Sequence, residues 1–239
     1  MALPIALLQL ASPALPIGGY SYSGGLEWAI ESAQVHDEAS AAQWISDALQ
    51  LTIARFDAPL MLAALQTVRR AREVAEAAGQ TSGAGPVMDT LRALNDAARA
   101  ARETEELRLE SQQMGYSLGR WLAAVCPEPQ ADEQVSTLLD PLTLPVAWAL
   151  ACDRLALDDQ DALLGYCWTF LENQVMVLMK ALPMGQIAAQ RLLRGLHGEL
   201  ARAVESARTL SREDWSSAAP LLAVASSKHE SQYSRLFRS

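Results

Sequence analysis

The chain has 239 residues, of which 50% are hydrophobic and 20% charged, and its formal net charge is −9. This composition is that of a folded protein, and the length suits one domain over 1–239. An acidic surface repels phosphate groups, which argues against nucleic acid and anionic membranes as partners. Three dispersed cysteines and an apolar start without basic residues predict a cytoplasmic protein with no signal peptide or membrane anchor. No apolar run is expected to reach the roughly 18 residues of a membrane-spanning helix.

Helix-favouring residues dominate the chain, and no stretch alternates apolar and polar residues strictly enough to predict a strand. A kink is expected near Thr104, and a linker at 79–86, where glycines cluster. Asp57 and Pro59 have the residue types of a helix start, so a new helix is expected there. In chain order, helices are predicted at 3–11, 24–34, 38–55, 57–78, 87–125, 146–156, 158–182 and 185–208.

The segment 158–182 is apolar on nearly all sides, with Asp158 as its predicted N-cap. A helix of this kind lies in the middle of a bundle or at a subunit interface. The sequence therefore predicts an all-α fold, an orthogonal helical bundle around this buried apolar helix.

Three stretches carry residue types that packing alone does not require. The loop 10–27 combines prolines and glycine pairs with Tyr20 and Tyr22, which suits either an interface or a rigid internal loop. In the stretch 175–186, Lys180 interrupts an apolar helix, so its ammonium either serves the helix end or faces a partner. The basic tail 226–239 has too few apolar anchors to offset the entropy of ordering it, and we expect it to be mobile until a partner binds.

Catalytic and metal-binding motifs are missing from the sequence, so no catalytic residue, metal ligand or cofactor is assigned. Two alternatives stay open. Asp158, Asp159 and Asp161 could bind Mg²⁺ in an all-helical enzyme, although acidic residues also favour the first turn of a helix. His229 or Cys126 could bind nickel in a self-contained nickel chaperone.

Motifs in these stretches and in the middle of the chain resemble the urease accessory protein UreF family, in order and over nearly the whole length. They are the loop 12–27 with its Gly-Gly-Tyr-Ser-Tyr-Ser core, Arg102, Glu106, Arg108, Glu110 and Gly115, the Lys180-x-x-Pro183-x-Gly185-Gln186 segment, and the string from His229 to Ser239.

The resemblance implies an all-helical, homodimeric scaffold that binds UreD (also called UreH) and the GTPase UreG. It implies a role in regulating GTP-dependent nickel insertion into apo-urease, without catalysis by the chain itself. Glu27 and Lys180 correspond to the face expected to meet UreG, and the first loop and the tail to regions expected near UreD. The partner-binding residues that it implies are Tyr20, Tyr22, Glu27, Lys180, Pro183, Gly185, Gln186, His229, Glu230, Tyr233, Arg235, Leu236, Phe237 and Arg238.

Overall fold

A computed structural model describes residues 5–78 and 84–237, and these residues form helices and loops without a strand. The all-α class is therefore confirmed. Short 3₁₀ turns lie at Gly19–Ser21 and Arg212–Asp214. The α-helices are α1 (Ile5–Leu10), α2 (Leu26–Glu31), α3 (Glu38–Ala48), α4 (Ala58–Ala78), α5 (Ala84–Ala100), α6 (Glu105–Val125), α7 (Pro129–Leu138), α8 (Leu144–Arg154), α9 (Asp159–Ala181), α10 (Gln186–Gly195), α11 (His197–Thr209) and α12 (Pro220–Glu230).

The expected helix start at Asp57 is wrong, because a π-helix at Leu49–Asp57 joins α3 to α4 without a break. Asp57 is buried and does not cap a helix. Pro59 has no N–H to give to the carbonyl of Arg55, four residues earlier. The backbone N–H of Ser216 donates to that carbonyl instead, at 3.1 Å. A donor from a distant loop thus satisfies the carbonyl that Pro59 leaves without a partner, and the long helix tolerates the proline.

The joined helix also corrects the expectation that no segment is long and apolar enough to span a membrane. The run Glu38–Val74 meets that test by length and composition. However, 72% of its most apolar window is buried inside the protein. Burial of this kind is what a core helix of a helical bundle shows.

Two segments that were predicted as single helices are each divided in two. The kink near Thr104 is a full break between α5 and α6, where the Thr104 hydroxyl caps α6 by accepting from the Leu107 N–H at 3.2 Å. The helix expected at 185–208 divides at Leu196 into α10 and α11. The predicted 79–86 linker lies partly outside the described residues, and α5 begins within it, at Ala84.

The core surrounds α8 and α9. Asp158 caps α9 as predicted, with its Oδ1 accepting from the Asp161 N–H at 2.7 Å. Leu163 and Leu171 of α9 are fully buried, which confirms the predicted central apolar helix. Trp148 of α8 packs beside it and donates its indole N–H to the Ala162 carbonyl at 3.2 Å. Both helices lie between the joined α3–α4 run, α6 and α11.

The C-terminal tail is not a separate extended segment in this structure. Residues 226–230 are the last turns of α12, and the side chains of Ser226 and His229 are fully buried. Beyond the helix, Phe237 is buried to 4% exposure, whereas Arg238 lies outside the described residues. Mobility of the tail stays a prediction, but the folded chain supplies contacts that the sequence did not reveal.

Candidate partner-binding site

The first loop, the end of α9 and the tail come together at one place. Helices α2 and α12 pack closely against each other at Gly25, and we call this contact region the junction. Gly25 is the N-cap of α2 and has a φ of 85°. A Cβ at Gly25 would lie 2.9 Å from the backbone nitrogen of Ser226. Only glycine fits this approach, so the glycine pair of the loop determines how closely the tail helix can pack.

His229 lies at the centre of this junction, between carboxylates from two other helices. Its Nδ1 is 2.5 Å from Glu106 Oε1, and its Nε2 is 2.9 Å from Glu27 Oε2. Burial, the largest single effect, lowers the pKa of His229, but the hydrogen bonds and charges of Glu106 and Glu27 together outweigh it and raise that pKa. The two carboxylates therefore favour the protonated form of the buried ring.

Glu27 also holds the end of the chain. Its Oε1 accepts from the Leu236 N–H at 2.6 Å, and its Oε2 accepts from the Phe237 N–H at 3.1 Å. Charge-assisted hydrogen bonds to two successive backbone donors fix the path of these residues. Glu27 thus links α2, α12 and the last described residues.

Lys180 joins the end of α9 to the same region. Its ammonium donates to the Tyr20 carbonyl at 3.3 Å and lies 5.1 Å from the centre of the Phe237 ring. The second distance is within the range of a cation–π interaction. The Lys180 side chain contacts both the loop and the tail, and it is also exposed to solvent.

The first loop is held by the interior rather than standing free. The Tyr22 hydroxyl donates to Gln113, and the Asn173 side-chain amide donates to the Tyr22 carbonyl at 3.2 Å. Burial, with a smaller effect of Glu172, raises the pKa of Tyr20 to about 12. Part of this loop is therefore a rigid internal element, which was one of the two interpretations left open by its sequence.

A largely apolar cavity of about 140 Å³, with a few charged side chains in its wall, lies behind these contacts. Arg102 donates to both carboxylate oxygens of Asp57 at 2.8 Å, and Glu110 faces the same space. Burial, together with the charges of Glu106 and Asp57, outweighs the attraction of Arg102 and His229 and raises the pKa of Glu110 to about 7. Within the described residues, Oε2 of Glu110 and Oε2 of Glu106 have no hydrogen-bond partner.

The residues implied by the resemblance divide into buried and exposed sets. Tyr22, Glu27, His229 and Phe237 are buried, and Tyr20 is half-buried. In this structure the four buried side chains position neighbouring residues, and a direct contact of any of the five with a partner stays a prediction. The exposed set is Lys180, Pro183, Gly185, Gln186, Glu230, Tyr233, Arg235 and Leu236.

Several residues of the junction were not among the predicted site residues. Glu106 and Glu110 belong to the matched central motif, and their spacing of four places them on one face of α6. The motif and this spacing were the signals in the sequence. Asp57, the partner of Arg102, gave no signal of a site, because that contact is made across the fold.

The two alternative metal sites find no support in the described part of the chain. Asp159 is engaged by Arg69 and by the Gln66 amide at 3.0 Å, and Asp158 caps its own helix. Both ring nitrogens of His229 already face carboxylates. No group of three or more His, Cys, Asp or Glu side chains suited to a metal ion occurs among the described residues.

Comparison with known proteins gives one consistent result. The UreF family model matches residues 35–197. The chain is 50% identical over 238 residues to the urease accessory protein UreF of Ectopseudomonas mendocina (strain ymp), with 98% of each chain covered. It is 47% identical over 238 residues to that of Azoarcus sp. (strain BH72), covering 98% of this chain and 95% of the relative. The chain therefore belongs to the UreF family of urease accessory proteins.

Proposed function

We propose that the protein is a scaffold in urease maturation, and that the exposed side chains around the junction bind its partners. The partners are UreD (UreH) and the GTPase UreG, and through them apo-urease, with GTP-dependent nickel insertion as the process served. The chain acts in the cytoplasm as a homodimer and has no catalytic site of its own.

One observation carries this proposal. Three stretches that are distant in sequence meet where Lys180 contacts both the Tyr20 carbonyl and the Phe237 ring. Buried Glu27 holds the backbone of Leu236 and Phe237, next to the exposed side chains of Tyr233, Arg235 and Leu236. An exposed aromatic, an arginine and a leucine on a preorganised backbone have the chemistry of a protein interface.

Co-purification is the direct test. The full chain, expressed with UreD and UreG, should form a complex that survives gel filtration in the presence of GTP and Mg²⁺. Recovery of the chain without either partner would contradict the scaffold role.

Lys180→Ala tests the surface within that complex. The variant should keep its helical content and thermal midpoint but lower both UreG retention and nickel loading of urease. Lys228→Ala is the matched control, since these are the two lysines of the chain and both side chains are exposed. Unchanged nickel loading in Lys180→Ala would remove this residue from the binding face, and an equal loss in both variants would indicate a general charge effect.

A further inference from the structure

The arrangement around His229 fixes how many protons the junction contains. An ionised carboxylate oxygen can only accept a hydrogen bond, so each of the two contacts of the ring requires a proton. A neutral imidazole carries one N–H, and the second proton must come from the imidazolium form or from a carboxyl group. With contacts of 2.5 and 2.9 Å at its two nitrogens, the Glu27–His229–Glu106 triad holds two protons.

The triad cannot lose one of these protons and keep the same geometry. A nitrogen lone pair would then face a carboxylate oxygen at hydrogen-bond distance, and the fully buried ring is shielded from bulk solvent. Either the ring or a carboxylate has to move. Glu27 is the carboxylate that also accepts from Leu236 and Phe237, so its movement takes both acceptors away from the end of the chain.

The surrounding charges favour the doubly protonated triad. Helix α6 contributes Glu110 besides Glu106, and α12 contributes Glu230, whose carboxylate accepts from the Glu106 N–H at 3.0 Å. The cations nearby are Lys180, which contacts the Phe237 ring, Arg235, which lines a groove together with Glu106 and Glu230, and Arg102, whose charge acts on Glu110. The remaining charged neighbour on α12 is Lys228, which is exposed. The two side chains that contact the ring directly are both carboxylates.

We propose that His229 is a proton-controlled latch for the C-terminal segment. With both protons in place, Glu27 holds Leu236 and Phe237 against the first loop. When one proton leaves, residues 236–237 detach, the Phe237 ring is uncovered, and Lys180 loses its aromatic contact. The latch needs no partner protein and stands independently of the proposed scaffold role.

The full chain alone provides the test. Nitrogen-15 NMR of the His229 ring reports its protonation between about pH 5.5 and about pH 9, and exchange of the Leu236 and Phe237 amides reports docking. After correction for intrinsic exchange, protection of both amides should fall at least about tenfold as the ring loses its proton. His36→Gln, which changes an exposed histidine, should titrate and exchange as the wild type does.

His229→Gln mimics the latch with a proton missing, because a glutamine amide cannot donate from both of the positions that the ring nitrogens occupy. In this variant, protection of the two amides should be low and independent of pH. A pH dependence equal to that of the wild type would overturn the proposal. Should the variant fail to fold, the wild type decides alone: constant protection across the range, whether or not the ring titrates, would overturn it equally.

Discussion

Five ionisable side chains lie close together in the interior: Asp57, Arg102, Glu106, Glu110 and His229. Hydrogen bonds join Asp57 to Arg102 and Glu106 to His229, and the charges of all four act on Glu110, although no pair of sequence neighbours suggests this. Buried ionisable groups are costly unless they are paired, so each member depends on the others. Their substitution should therefore have effects that surface charges do not show.

Glu110 should make the protein less stable as the pH rises. Its pKa is raised from 4.5 to about 7 in the folded state, so folding takes up a proton between these values and stability falls through that window. The full displacement corresponds to on the order of 3 kcal/mol. Urea unfolding of Glu110→Gln at pH 5 and pH 8 should show a much smaller difference than the wild type. The Glu105→Gln variant, changed at an exposed side chain, should retain the wild-type difference in stability between pH 5 and pH 8. An equal difference in all three proteins would show that Glu110 is not the group responsible.

Asp57 should be essential for stability because it neutralises Arg102. The two side chains are 4% and 14% exposed, and Asp57→Asn would leave the guanidinium buried without its counter-charge. We expect a loss of about 3 kcal/mol in the free energy of unfolding. Glu205→Gln, in the exposed pair with Arg208, should leave the urea midpoint unchanged. A loss no larger than in this control would show that Arg102 finds another partner.

Helix contacts determine where the elements lie, and one glycine controls the crossing of α6 with the segment that leads into α8. A Cβ at Gly115 would lie 2.3 Å from the Leu142 carbonyl oxygen and 2.8 Å from the Leu144 nitrogen. Backbone atoms cannot move aside as a side-chain end can. The matched central motif thus includes this glycine for a packing reason.

Gly115→Ala should be strongly destabilising, by about 3 kcal/mol, the upper end of the usual cost of overpacking, because it forces two backbones apart. Gly119→Ala is the control from the same helix, one turn later. Its Cβ would meet only the Leu142 Cδ2 methyl at 3.2 Å, and alanine improves helix propensity. Thermal midpoints should fall sharply for the first variant and change little for the second. Similar midpoints would mean that the α6 contact is loose.

Closure of the chain onto itself is a property of the whole molecule. The last described residues return to α2, more than 200 positions earlier, through the hydrogen bonds of Leu236 and Phe237 to Glu27. Burial of Phe237 and these two charge-assisted bonds together offset the entropy of ordering the segment. The sequence shows the apolar residues of the segment, but it does not show the hydrogen bonds from Leu236 and Phe237 to Glu27.

Truncation after Glu230 should lower the thermal midpoint, because Glu27 loses two donors and the Phe237 site becomes empty. We expect the free energy of unfolding to fall by about 1 to 3 kcal/mol. The loss should be smaller than for a core cavity, because the truncated chain no longer has to order this segment. Tyr233→Ser, at a fully exposed side chain, should leave the midpoint unchanged. A truncated chain as stable as the full one would show that the segment adds nothing to the isolated fold.

Residue usage and local pattern were enough to predict the all-helical class and the buried α9 with its Asp158 cap, and the motifs that resemble the UreF family were enough to predict the family. These features depend on neighbours within a few positions or on strings of matched residues. The tertiary structure alone decided that α3 continues into α4 past Pro59, because the N–H that satisfies Arg55 comes from Ser216. It alone decided that Glu27 and Glu106 meet at the two ring nitrogens of His229, because hydrogen bonds between distant helices leave no periodicity in the sequence.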